Sequence, residues 1–98
     1  MKVFISSPMR GKTYEELIKE RQQIITEIEP LIPTDVEFIN SIVKSPTNHP
    51  PLWYLGTALQ MLSNADMAVF YKGWDKARGC KIEYQCAKEY GIPTLEIN

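Results

Sequence analysis

KVFISSPMRGKTYEE, residues Lys2 to Glu16, changes its period half-way along. Lys2–Ser6 is a short apolar run rich in β-branched and aromatic residues, which suits a buried strand. Thr13 followed by Glu16 is a capping-box pattern with two acids in the first turn, and Leu17, Ile24, Ile28 and Leu31 then recur at helical spacing. The spacing predicts a helix from about Thr13 to Glu29, stopped by Pro30 and Pro33. A strand passing through a short polar loop into a helix is the first half of a β-α-β unit.

The rest of the chain continues the alternation. Val36–Ile39 (VEFI) reads as a second strand, and Asn40–Pro51, with three prolines among Ser, Thr, Asn and His, as the longest loop. Pro50 and Pro51 can open a helix whose stripe Leu52, Leu55, Leu59, Leu62 ends at Leu62 or Ser63. Asp66–Tyr71 (DMAVFY) reads as a third strand and Lys72–Gly79 as a polar loop. A helix from about Arg78 to Tyr90 then stops at Gly91 and Pro93, before a last strand, Thr94–Ile97. The order βαβαβαβ predicts one α/β domain over residues 1–98: a parallel sheet with helices on both faces, because parallel crossovers need a connecting helix.

Composition narrows the function classes. The 98 residues are 44% hydrophobic and 23% charged with formal charge −1, the profile of an ordinary globular protein small enough for association to be expected. No apolar run approaches the roughly 20 residues that cross a bilayer, so no membrane partner is expected. No basic stripe matches a phosphate backbone, which argues against a nucleic-acid polymer and leaves a small ligand. With no secretory pattern at the start, a cytoplasmic location is expected. Cys80 and Cys86 stand about 240° apart on one helix, so a disulfide is not expected, and no metal or other cofactor is implied.

In an open parallel sheet the ligand crevice lies beyond the C-terminal strand ends where the strand order reverses. An order of 2-1-3-4 puts it between strands one and three, where the loops Ser6–Lys12 and Lys72–Gly79 meet. Ser6, Ser7, Arg10 and Gly11 lie just ahead of a helix N-terminus, which favours an anionic or hydroxylated ligand. The same residues would also serve as a polar turn capping a helix. On the last helix Ile82, Cys86 and Tyr90 form an apolar stripe with Glu83 beside it, at the end nearest the crevice. A carboxylate near a helix start is held as an anion, which suits attack on a sugar carbon, although most such glutamates are dipole partners only. Trp74 can stack on a base or anchor its loop, and Tyr71 can donate to a sugar or to Glu83.

FISSPMRGK (Phe4–Lys12), ADMAVFY (Ala65–Tyr71) and GCKIEYQCAKEYGIPTLEI (Gly79–Ile97) together resemble the nucleoside 2-deoxyribosyltransferase-like superfamily, specifically its small bacterial and phage branch. The resemblance implies a three-layer flavodoxin-like (Rossmann-like) fold, a parallel sheet of four to five strands in the order 2-1-3-4. It also implies a homo-oligomer, dimer or tetramer, whose subunits complete each other's sites. In that superfamily a G-x-x-x-E-x-x-x-A glutamate attacks the anomeric carbon. Gly79, Glu83 and Ala87 fit the spacing, which implies Glu83 as nucleophile. By the same resemblance Ser7, Met9, Arg10 and Gly11 fall in the strand-one motif that holds a 5′-phosphate. One position departs: the superfamily's acid, eight residues before the aspartate that opens strand three, is Ala58 here, and Asp75 is the nearest replacement in sequence.

The expected function is therefore cleavage or transfer at the N-glycosidic bond of a (deoxy)nucleoside or nucleoside 5′-monophosphate. Its expected catalytic residues are Glu83 and Asp75, and its ligand contacts Ser6, Ser7, Met9, Arg10, Gly11, Tyr71, Trp74 and Gly79. The alternative is a nucleotide-binding module of the same fold without the acid.

Overall fold

A computed structural model describes residues 1–45 and 47–98; Pro46, within the loop expected over Asn40–Pro51, lies outside the described residues. Strands β1 (Lys2–Ser6), β2 (Glu37–Phe38), β3 (Met67–Phe70) and β4 (Thr94–Glu96) alternate with helices α1 (Tyr14–Ile28), α2 (Pro51–Leu62) and α3 (Arg78–Glu89). All strand pairs are parallel and the sheet order is β2-β1-β3-β4. This is the expected three-layer flavodoxin-like arrangement, with the strand order reversing between β1 and β3.

Side chains on β1 alternate between two cores, as pleating requires. Val3 and Ile5, with Val69 of β3, bury against Ile24 and Ile28 of α1, and Ile32 just beyond it joins them. Phe4, Ala68 and Phe70 bury on the opposite face against Leu62 of α2 and Ala87 of α3. Each fully enclosed phenylalanine, Phe4 and Phe70, contributes roughly 1.5–3 kcal/mol by leaving water. The Asp66 carboxylate accepts the Lys2 amide proton at 2.7 Å and so fixes the start of the β1–β3 register.

α1 begins where the capping box places it. Thr13 Oγ1 accepts from the Glu16 amide at 3.1 Å, and Glu16 Oε1 accepts from the Thr13 amide at 2.9 Å. That bond to the Thr13 backbone, with the threonine hydroxyl adding to it, holds the Glu16 carboxyl below its ordinary pKa. At the other end Pro30 tightens the chain into a single 3-10 turn, Glu29–Leu31, which rotates Leu31 out to 58% exposure and leaves Ile32 in the core. The second strand is shorter than expected. Arg21 Nη2 on α1 donates to the Phe38 and Ile39 carbonyls, both at 3.2 Å, and turns the chain end toward the helix instead of into a longer ladder.

α3 presents a different stripe to the sheet from the one its apolar spacing suggests. Cys80, Glu83 and Ala87 face inward while Ile82 and Tyr90 stay exposed. Small side chains at positions 80 and 87 let the helix approach Phe70 closely, and Tyr84 packs edge-on to that ring at 5.0 Å. The consequence is a glutamate carried under the helix rather than beside it. Among the described residues, no helix is long and apolar enough to cross a membrane.

Candidate functional site

β1 and β3 end side by side. Ser6 pairs with Phe70, and the Ser6 carbonyl accepts the Tyr71 amide proton at 2.9 Å. Beyond β1, the Lys12 amide donates to the Met9 carbonyl at 3.2 Å, closing a four-residue turn whose third residue, Gly11, has φ +81°. A positive φ at that place is the signature of a type II turn. Gly11 is thus required by the backbone rather than by a close approach, since a Cβ there would meet nothing within 4 Å. The Lys12 ammonium secures the loop by donating to the Pro8 carbonyl at 3.1 Å and pairing with Glu20 at 2.7 Å.

The loop after β3 comes back against the first. Gly73, at φ +86°, opens a 3-10 turn over Trp74–Lys76, and a Cβ on it would sit 3.3 Å from Pro8 Cγ. The two loops therefore touch above the strand ends, and α3 starts immediately behind them.

At the floor of this junction Ser6 Oγ donates to Glu83 Oε1 at 2.6 Å. Ser6 is 1% exposed and Glu83 8%. Glu83 lies in the second turn of α3, past the reach of the helix dipole, so burial dominates its charge state. Burial pushes the carboxyl up to about 7, with the Ser6 hydroxyl pulling it back down. Cys80, one turn earlier, is buried too, and its thiol is pushed up to about 11, chiefly by burial and further by the nearby Glu83; the Ser6 hydroxyl opposes the rise. The expectation of an anion stabilised by the helix start is thereby replaced by a carboxyl that is half-protonated near neutrality.

The two Glu83 oxygens differ. Oε1 is held by Ser6, whereas Oε2 accepts no hydrogen bond among the described residues. One oxygen is anchored and the other is unpartnered.

A family model described as a domain of unknown function, DUF4406, matches residues 1–96. The chain belongs to the DUF4406 family. Comparison with curated proteins and with solved structures gives no match.

In this DUF4406 domain the residues expected at the site divide into two groups. Ser6 and Glu83 come together near Cys80, while Gly79 lies in the first turn of α3, where a Cβ would meet nothing within 4 Å. Ser6 gives its only proton to Glu83 and is 1% exposed. Arg10 and Met9 are exposed at the loop, and Arg10 has no ion-pair partner among the described residues. Ser7 shares the parity of Ile5, toward α1, and lines a small cleft on that side with Met9, Arg21 and Ser41.

Two expected contacts point elsewhere. The Tyr71 hydroxyl donates to Glu27 Oε2 on α1 at 2.5 Å, and that bond holds the phenol above its ordinary pKa. Tyr71 is thus spoken for on the face opposite Glu83. Trp74 stacks on Tyr84 at 4.4 Å and leans on Phe70 at 5.6 Å, which is loop anchoring with one ring face already occupied. Asp75 is exposed on the turn and makes no hydrogen bond to Glu83. Among the described residues no group of three or more His, Cys, Asp or Glu side chains is gathered as a metal site would need.

Two participants escaped the sequence reading. Cys80 had a signal, its three-residue spacing from Glu83, which places both on one helix face. Arg21 had none, because its partners are backbone carbonyls.

Proposed function

We propose that this domain cleaves or transfers the N-glycosidic bond of a (deoxy)nucleoside or nucleoside 5′-monophosphate. The observation that carries the reading is the buried Glu83 carboxyl at the β1/β3 switch, with one oxygen fixed by Ser6 and the other unpartnered. In this reaction Oε2 of ionised Glu83 bonds to the anomeric carbon as the C–N bond breaks and its electron pair leaves with the base. Water or a second base then attacks the same carbon and releases the carboxylate. Asp75, on the turn above α3, is the acid this reading gives to the leaving base, and Ser7, Arg10 and the Met9–Lys12 turn are the grip for a phosphate. The reading is supported by the resemblance of the strand-one and α3 motifs to nucleoside 2-deoxyribosyltransferases. It includes a small-molecule partner, a cytoplasmic location and a homo-oligomer, for which exposed Leu52, Trp53, Ile82 and Tyr90 offer apolar surface.

Incubation with deoxynucleosides and their 5′-monophosphates, with and without acceptor base, tests it by chromatography. Free base or a new nucleoside is expected with the wild type and absent with Glu83→Gln. Because the attacking form is the anion, turnover should rise with pH and level off above about 7. A second reading, ligand binding without turnover, is favoured by two facts: Asp75 is not bonded to Glu83, and the superfamily acid position is Ala58, packed toward the core. Saturable nucleotide binding with no base released would select it.

A further inference from the structure

We infer that Ser6 is the positioning residue of Glu83. Ser6 has a single hydroxyl proton and two acceptor lone pairs. The proton goes to Glu83 Oε1 at 2.6 Å, from a hydroxyl and to a carboxyl that are both buried. The strand end holds the Ser6 backbone in place. Its backbone is locked by the Phe70 pairing and the Tyr71 amide, and its side chain is 1% exposed.

The Ser6–Glu83 bond does two things. It engages Oε1 and leaves Oε2 as the unpartnered oxygen of the carboxyl, and it supplies the one interaction favouring the charged form. No lysine or arginine pairs with Glu83 among the described residues, so Ser6 has no competitor in that role. The catalytic consequence rests on the glycosyl chemistry proposed above, but the positioning itself does not.

The test is a carboxyl-carbon NMR titration of Glu83 in wild type, Ser6→Ala, Ser6→Cys and Ser6→Thr, with Ser41→Ala as control. Ser41 is a buried serine whose hydroxyl donates to the Ile5 carbonyl at 3.3 Å, away from Glu83. Ser6→Ala should raise the Glu83 midpoint by about one pKa unit, a tenfold change in its acid equilibrium. Ser6→Cys, similar in volume with a weaker donor, should fall between, Ser6→Thr should restore the wild-type value, and Ser41→Ala should leave it unmoved. If Ser6→Ala does not fold, the Cys and Thr variants carry the comparison. An unchanged midpoint in Ser6→Ala or Ser6→Cys overturns the assignment, as does an equal shift in Ser41→Ala. The titration needs no turnover, so a protein inactive on every nucleotide would refute the proposed reaction and leave this result standing. Where turnover is found, Ser6→Ala should lower kcat with little change in KM and move the acid limb of the pH profile upward; loss of KM alone would contradict the role.

Discussion

Glu83 makes the fold less stable, and the size of that loss can be worked out. Its ordinary pKa of 4.5 rises to about 7 in the folded chain, with burial the first cause. Below about pH 4.5 the carboxyl is protonated folded and unfolded alike, and nothing is lost. Between 4.5 and 7 the unfolded chain has released the proton while the folded chain keeps it, so each step upward favours unfolding. Above 7 the whole difference is in force, about 3 kcal/mol at 1.36 kcal/mol per unit. Glu83→Gln keeps the shape and still accepts from Ser6, but never ionises. Relative to wild type it should therefore gain about 3 kcal/mol between pH 4.5 and 8, on the order of 10 °C in Tm for a domain of this size. Urea denaturation of both proteins at half-unit pH steps measures it. If the two stability profiles run parallel across that range, Glu83 is not the buried carboxyl, held by Ser6 alone, described here. A residue that destabilises its own fold and whose replacement strengthens it is what a functional site retains.

Other substitutions report on the frame around it. Thr13→Ala removes the α1 cap and should destabilise by about 1 kcal/mol in the same urea assay. Gly11→Ala and Gly73→Ala both force an L side chain into positive φ, at roughly 1–2 kcal/mol each, but only Gly73 would also press a Cβ on Pro8. Gly73→Ala should therefore be the more destabilising of the two, and equal losses would mean that the two loops do not touch as described. Iodoacetamide at pH 8 followed by peptide mass spectrometry should label half-buried Cys86 well before buried Cys80, whose thiol stays protonated there. Faster labelling of Cys80 would place it at the surface.

Much of this molecule is legible in the sequence, and the gaps have physical causes. β1 occupies Lys2–Ser6 and α1 starts behind Thr13 as the residues foretell, because a short apolar run and a capping box act locally. The strand order 2-1-3-4 comes with the family resemblance, since the alternation of strands and helices alone does not set it. Parity was there to be used as well: Tyr71 shares a face with Val69, toward α1, so its distance from Glu83 could have been read from the alternation of β3. The orientation of α3 could not. Ile82, Cys86 and Tyr90 make the better apolar stripe on paper, yet Cys80 and Ala87 allow the closer approach to Phe70, and only tertiary packing decides between them. That rotation buries Glu83 and takes its titration out of reach of any one-dimensional pattern. The early stop of β2 is equally hidden, since Arg21 caps carbonyls that no side-chain motif announces.

The most direct test of the central claim is intact-mass spectrometry of the protein quenched during incubation with a deoxynucleoside 5′-monophosphate. The account predicts a mass gain equal to the sugar phosphate, mapping by peptide analysis to Glu83 and missing from Glu83→Gln. Base release that persists in Glu83→Gln, or an adduct on any other residue, would contradict it.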